Sequence, residues 1–318
     1  MVDNIRVLNL KTETELTMGK SRGYAYLLET DGINWNAVDA VHNSFVNLTG
    51  MGDIVTSSKL KIRTISITGR VSSIYTNKEI ARRYDVSGVD EIAAKKLEEI
   101  EGYKKILSQT INPLHDIRIL SNDYYIDGKP KSSVNFSPNW KENNEIYCKF
   151  TFSLECHDPL FHSSTSEATQ LSGTFGGFHF PLIIPSSTGI HFGIRRSYQL
   201  VNVTNDGDTA YGGIIFLKAT GTVNNPTITN VWTQEFIKIQ KTLQSGEVVK
   251  IDTVNRKILG AADGTNFSNY FAYWDFDNTW FQFDIGDTLF GFSTDDSSYK
   301  NLNLWIEINK SYYSMEEQ

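Results

Sequence analysis

Residues 146–156 alternate without a break: Ile146, Cys148, Phe150, Phe152, Leu154 and Cys156 fall on one face, Tyr147, Lys149, Thr151, Ser153 and Glu155 on the other. A period of two is the signature of a half-buried strand, because successive side chains of extended backbone point to opposite faces. Residues 59–71 alternate too, but Leu60 and Ile62 carry one phase and Ile65 and Ile67 the other, which predicts one strand with a bulge near Thr64. Only one long stretch has helical period. Ala93, Leu97, Ile100, Leu107 and Ile111 share a face, Ser87-Gly88-Val89-Asp90 supplies the start and Asn112-Pro113 the stop, so a helix is predicted over residues 90–111. A strand over 115–120 follows, and residues 124–136 are the expected partner of the 146–156 strand, joined to it through the turn-rich stretch 137–144.

Beyond Leu171 the helical period disappears. Short apolar runs at 178–184, 198–203, 213–219, 227–233, 235–243, 248–254, 270–276, 280–283, 288–292 and 302–308 are separated by turns such as Asn205-Asp206-Gly207-Asp208 and Ser245-Gly246. That spacing predicts an antiparallel β-sandwich. The polar, small-residue run 163–166 after Asp158-Pro159 marks the boundary between two domains, residues 1–161 with the helix and residues 162–318 without one. A chain of 318 residues suits two domains, and 18 Phe with 15 Tyr suit a mainly β class.

Charge and chemistry narrow the function. Thirty Lys and Arg against 37 Asp and Glu leave a net charge of −7, which argues against nucleic acid as the main partner. The first residues lack the apolar stretch of a leader, so the chain is expected to stay in the compartment where it is made. The longest apolar run, residues 180–185, is far short of the roughly 20 residues of a spanning helix, so no membrane span is expected. Cys148 and Cys156 lie too far apart along one strand for a disulfide and are expected to be reduced core residues.

In His115-Asp116 and His157-Asp158 the neighbours point to opposite faces, so they are expected at strand edges and turns rather than as acid–base pairs. Cys156, His157 and His162 lack the second closely spaced pair of a zinc site. The acidic pairs Asp206/Asp208, Asp275/Asp277 and Asp284/Asp287 lack the twelve-residue calcium loop. The glycine-rich run 172–177 has neither the Lys-Ser/Thr ending nor the following helix of a phosphate cradle. No nucleophile elbow or zinc-protease motif occurs, so no catalytic residue, metal ligand or cofactor is assigned.

Two surfaces remain as candidates. Residues 33–56, with Trp35, Val38, Val41, Phe45, Val46 and Leu48, are too apolar for a free loop and are a candidate interface; residues 124–147, beginning with Tyr124 and Tyr125, are a candidate projecting arm. Ordinary packing within the domain is the alternative for both. Trp232, Trp274 and Trp280, with Tyr270 and Tyr273, are candidate carbohydrate contacts, against the alternative that they fill the sandwich core.

The run Phe152-Ser153-Leu154-Glu155-Cys156-His157-Asp158-Pro159-Leu160-Phe161 resembles the stretch that closes the N-terminal domain of phage distal tail proteins, the siphovirus tail component family. Leu171-Ser172-Gly173 followed by residues 177–182 resembles the opening of their second domain, and residues 225–230, 235–239 and 246–253 resemble its body. The resemblance implies an N-terminal β-barrel-like domain with one helix and a C-terminal galectin-like sandwich facing outward. It also implies a structural virion protein without enzymatic activity or cofactor, made in the host cytoplasm. Its place is a hub at the tail tip or baseplate, where copies form a hexameric ring. Its partners are the tail tube protein, the tail-associated spike protein and receptor-binding or baseplate proteins. Such a ring needs two dissimilar patches that meet head to tail. The competing expectation is a carbohydrate-binding sandwich module acting in attachment to the host cell wall.

Overall fold

In the computed structural model, residues 4–21, 23–46, 52–165, 167–176, 193–197 and 200–315 are described, with only the backbone of 167–176, 193–197 and Ser297. The chain forms two compact units, Met1–Ser164 with Tyr312–Gln318, and Thr165–Ser311.

The first unit contains β1 (Asn4–Asn9), β2 (Glu15–Gly19), β3 (Tyr26–Asn34), β4 (Ala40–Val46), β5 (Asp53–Leu60), β6 (Arg63–Ser72), α1 (Asn77–Tyr84) and α2 (Val89–Thr110). Then come β7 (Ile117–Ser121), β8 (Tyr124–Pro130), β9 (Asn135–Phe136), β10 (Tyr147–Cys156) and β11 (Phe161–Ser163). Its spine is the antiparallel pair β6–β10, in register from Tyr147↔Ser72 to Cys156↔Arg63. Ile65, Ile67 and Val71 on β6 and Cys148, Phe150, Phe152, Leu154 and Cys156 on β10 are buried, as a period of two requires. The opposite face pairs Ser66 with Ser153 and Thr68 with Thr151 across the strands.

Strands follow in the order β8-β7-β1-β2-β3-β6-β10, and β10 returns to β8 at Leu154↔Pro130 and Glu155↔Lys129. The sheet therefore closes into a barrel, with a parallel step between β2 and β3 at Met18↔Tyr26. Helix α2 sends Ile100 and Leu107 into the same core, joined by Ile111 at its C-terminal cap. Glu91 reaches back to the Gly88 backbone N–H at its start.

Several expectations are corrected here. Residues 59–71 are not one bulged strand: β5 ends at Leu60, and β6 begins at Arg63 in a different sheet, so the phase change marks a change of sheet. Ile146 is exposed, because the strand begins one residue later. Leu97 lies toward solvent rather than in the helix core. Helix α1 was not anticipated: it buries only Ile80, and its reciprocal Thr76–Glu79 cap is its clearest sequence mark. β8 pairs with β10 only at its end, and β6 is the main partner of β10.

The second unit contains β12 (Glu167–Gly176), β13 (Gly193–Ser197), β14 (Leu200–Asn205), β15 (Gly213–Ala219), β16 (Val223–Asn224), β17 (Thr227–Asn230) and β18 (Phe236–Lys238). It continues with β19 (Thr242–Leu243), β20 (Val248–Asp252), β21 (Lys257–Ala261), β22 (Ser268–Asn269), β23 (Gly286–Ser293) and β24 (Leu302–Ile308). Sheet β13-β12-β24-β15-β20-β21-β22 faces sheet β14-β23-β17-β18 across one core. Ile215, Leu217, Leu304 and Ile306 come from one side, and Val203, Ile228, Phe290 and Phe292 from the other. The chain then passes through β25 (Ser311–Tyr312), which lies beside β11. The expected strand at 178–184 lies outside the described residues. Among the described residues, no helix is long and apolar enough to cross a membrane.

Residues 270–276 and 280–283 are not the strands their aromatic content suggests. They belong to an irregular segment with a 3-10 turn at Phe271–Tyr273. The segment runs along the open edge of β18: Thr279 N–H donates to the Phe236 carbonyl at 3.0 Å, and Gln240 N–H to the Tyr273 carbonyl at 2.8 Å. The Asn278 amide accepts from Lys238 N–H at 2.7 Å and donates to the Lys238 carbonyl at 2.8 Å. Edge groups that would otherwise await another strand are thereby occupied.

Tyr270 anchors this segment, lying so close over Gly260 that a Cβ there would sit 2.0 Å from its ring. Beneath it the buried Glu247 carboxylate accepts from Lys241 Nζ at 2.7 Å and from Gln244 N–H at 2.9 Å. Burial pushes the Glu247 carboxyl up, but hydrogen bonds from Lys241, the Gln244 backbone and the Tyr270 hydroxyl outweigh it and hold the group below its ordinary value of 4.5.

Two outcomes follow. Phe150→Ala empties a fully buried site on the spine and is expected to cost about 3–5 kcal/mol, read as a lower denaturant midpoint for the first unit. For Glu247, a lowered folded-state pKa means stability present above pH 4.5 and lost as pH falls through the folded value. Thermal scans between pH 7 and 3 are expected to show the second unit weakening below about pH 4.5, with a shallower slope in Glu247→Gln.

Candidate assembly surfaces

β4 and β5 form a two-stranded sheet of their own, in register from Ala40↔Leu60 to Val46↔Asp53 with an irregularity between Asn43 and Ser44. Its strand rise gives a reach of roughly 20 Å. Every residue of β5 and all of β4 except Val41 are exposed. At the base, Lys61 N–H donates to the Asp39 carbonyl at 2.8 Å. The shaft is tied by polar pairs, His42 with Ser58 at 2.7 Å and Asn43 with Ser57 at 2.9 Å. The distal part is apolar: Phe45 faces Ile54, flanked by Val46 and Val55, with Phe45 54% and Val46 74% exposed. A lone hairpin with water on both faces is marginal, and here it carries exposed apolar side chains on both, Phe45 and Ile54 on one and Val46 and Val55 on the other, which makes it a candidate contact surface.

The projecting arm is therefore β4–β5, and residues 124–147 are not one. β8 lies within the barrel sheet, where the Tyr124 ring meets Tyr312 edge-on at 5.3 Å and the Tyr125 ring lies 4.0 Å from the Arg118 guanidinium. Arg118 in turn holds Asp127 with two hydrogen bonds, at 2.7 and 2.8 Å. Of the other interface candidates, Trp35 packs on the first core, edge-on to Phe161 at 5.6 Å, and Val38 and Val41 are half-buried. Leu48 lies outside the described residues.

One surface was not foreseen from the sequence. Val89 at the start of α2 and Ile146 before β10, both strongly exposed, border a hollow of about 190 Å³ also lined by Ile92, Ala93, Lys96 and Glu145. Its apolar members come from segments more than fifty positions apart, which no local pattern joins.

The aromatic candidates separate in the same way. Trp274 and Trp280 lie parallel at 4.0 Å, and Phe271 stacks on Trp274 at 6.1 Å, so much of their flat surface is spent within the segment. Both indoles also pack on the sandwich core. Trp232 stands apart on the turn after β17, 62% exposed.

The candidate chemical groups take structural contacts. His115 Nδ1 lies 3.1 Å from the Asn9 amide, and Asp116 pairs with Lys129. Asp158 meets His162 Nε2 at 3.1 Å rather than its neighbour His157. Cys156 is buried, and burial pushes its thiol up to about 12, far from a reactive thiolate. Asp206 pairs with Lys310, Asp275 accepts from Asp277 N–H and from Gln240, and Asp287 accepts from Thr204. Among the described residues no group of three His, Cys, Asp or Glu is placed to hold a metal ion.

Comparison with known proteins adds to this geometry. Residues 206–303 match the model of the siphovirus-type tail component, C-terminal domain. The crystal structure of the Dit protein of phage SPP1, described as a paradigm of the hub adsorption apparatus in phages infecting Gram-positive hosts, aligns over 96% of this chain and 98% of that one, with a TM-score of 0.58 and 10% identity. A structure of the phage P2 baseplate in its activated conformation with calcium aligns over 96% and 98%, at 11% identity and a TM-score of 0.48. No curated protein matches the chain. Residues 206–303 are thus similar to a siphovirus-type tail component C-terminal domain, and the fold of the chain is similar to that of the Dit protein of phage SPP1.

Proposed function

We propose that this chain is a distal tail hub subunit, a structural component of the phage tail tip whose copies close into a hexameric ring. The ring joins the tail tube protein to the tail-associated spike and to receptor-binding or baseplate proteins. The observation that carries the reading is the β4–β5 arm, a hairpin with both faces in water and with Phe45, Val46, Ile54 and Val55 exposed on it. A rotational ring needs one patch to meet a different patch on the next copy. The arm supplies the first, and the exposed Val89–Ile146 hollow on the same unit is a dissimilar second. In this arrangement the barrel unit builds the ring, and the sandwich unit is peripheral and serves the outer partners. The molecule's work is binding and geometry, with no chemical step assigned to it.

Light scattering after gel filtration tests this. The native chain is expected to give a ring-sized species whose fraction rises with concentration. The double change Phe45→Ser and Ile54→Ser removes two large apolar contacts at about 1.5–3 kcal/mol each, enough to weaken association by more than about 100-fold. Because both side chains are exposed in the single chain, its melting temperature is expected to stay unchanged. Ring assembly undiminished in the double variant, or a native chain that stays monomeric at every concentration, contradicts the proposal.

A further inference from the structure

We infer that residues 312–315 are a clasp: they cover the β11 edge of the barrel sheet, and Arg63 is the anchor that holds them. Tyr312, in β25, sits beside β11 at the end of the barrel sheet, and its ring meets Tyr124 edge-on at 5.3 Å. Met315 packs against the barrel core. Between them the Tyr313 carbonyl accepts a hydrogen bond from Arg63 Nη2 at 2.6 Å, across 250 positions of sequence.

Arg63 is an unusual anchor. It is the first residue of β6 and only 2% exposed, and among the described residues no carboxylate pairs with it. Its Nε has no partner, and its guanidinium lies 4.3 Å from the centre of the Phe161 ring. A guanidinium withdrawn from water needs compensation, and here it comes from the Tyr313 carbonyl and the face of Phe161. The carbonyl is present only while the tail is docked. Losing the tail would leave a buried cation facing one ring and would bare the edge of β11.

The consequence concerns the whole chain. Thr165–Ser311 is inserted between two parts of the first unit and is tied to it by both of its ends. The last residues, which follow the sandwich in sequence, therefore stabilise the barrel and leave the sandwich unaffected.

Hydrogen–deuterium exchange on the otherwise complete chain ending at Ser311 tests this. Peptides covering β8 and β11 are expected to exchange about tenfold faster or more, with those covering β15 and β24 unchanged. Arg63→Met, which removes the buried charge and keeps an apolar stem, is expected to speed exchange at residues 312–315 by a similar factor and to leave the sandwich unaffected. Failure of the barrel to fold in the shortened chain, beside a protected sandwich, also agrees with the clasp. Unchanged exchange at β8 and β11 after shortening, equal loosening of β15 and β24, or a tail indifferent to Arg63→Met overturns it.

Discussion

The rest of the first unit hangs on the ladder between β6 and β10. It brings five buried side chains of β10 against three buried apolar side chains of β6 and sets the barrel's inner face. The ladder demands close approach at Gly69, where a Cβ would lie 2.6 Å from the Leu27 carbonyl and 2.7 Å from the Phe150 ring. β6 can thus receive β3 on one side and β10 on the other while the Phe150 ring approaches its backbone closely at Gly69. Where the ladder begins also fixes what precedes it: at Arg63 the chain enters the core, and the residues before it are released as the arm.

The molecule treats its unpaired strands in two ways. On the sandwich, the edge of β18 is covered by the aromatic segment 270–283, itself pinned by Tyr270 over Gly260 and by the buried Glu247–Lys241 pair. On the barrel unit the arm is left with both faces open and apolar at its end. The β18 edge is thereby closed to further strand pairing, whereas the arm stays open, as the proposed head-to-tail assembly requires.

The sequence was most legible where one face of an element is buried and the other wet. Cys148 to Cys156, Ile215 to Ala219 and Leu302 to Ile308 announce themselves because burial imposes the period. The arm carries no such signal: with both faces exposed, alternation has no cause, so its apolar content shows but its hairpin does not. Residues 270–283 mislead for the opposite reason, since Tyr, Phe and Trp favour strands by bulk and are here an ordered cap. The closing residues Tyr312 to Met315 are too few to form any pattern, and the lone Arg63 at a strand start gives no hint that its partner lies at the far end of the chain.

Cross-linking an equal mixture of isotopically light and heavy chains, followed by mass spectrometry, tests the central claim that the arm serves a neighbour. Lys59 and Lys61 at the base of the arm are both exposed and available to the reagent. In ring-sized material the account predicts mixed light–heavy links from these lysines to the first unit of another copy. Links from Lys59 and Lys61 confined to chains of one label would contradict it.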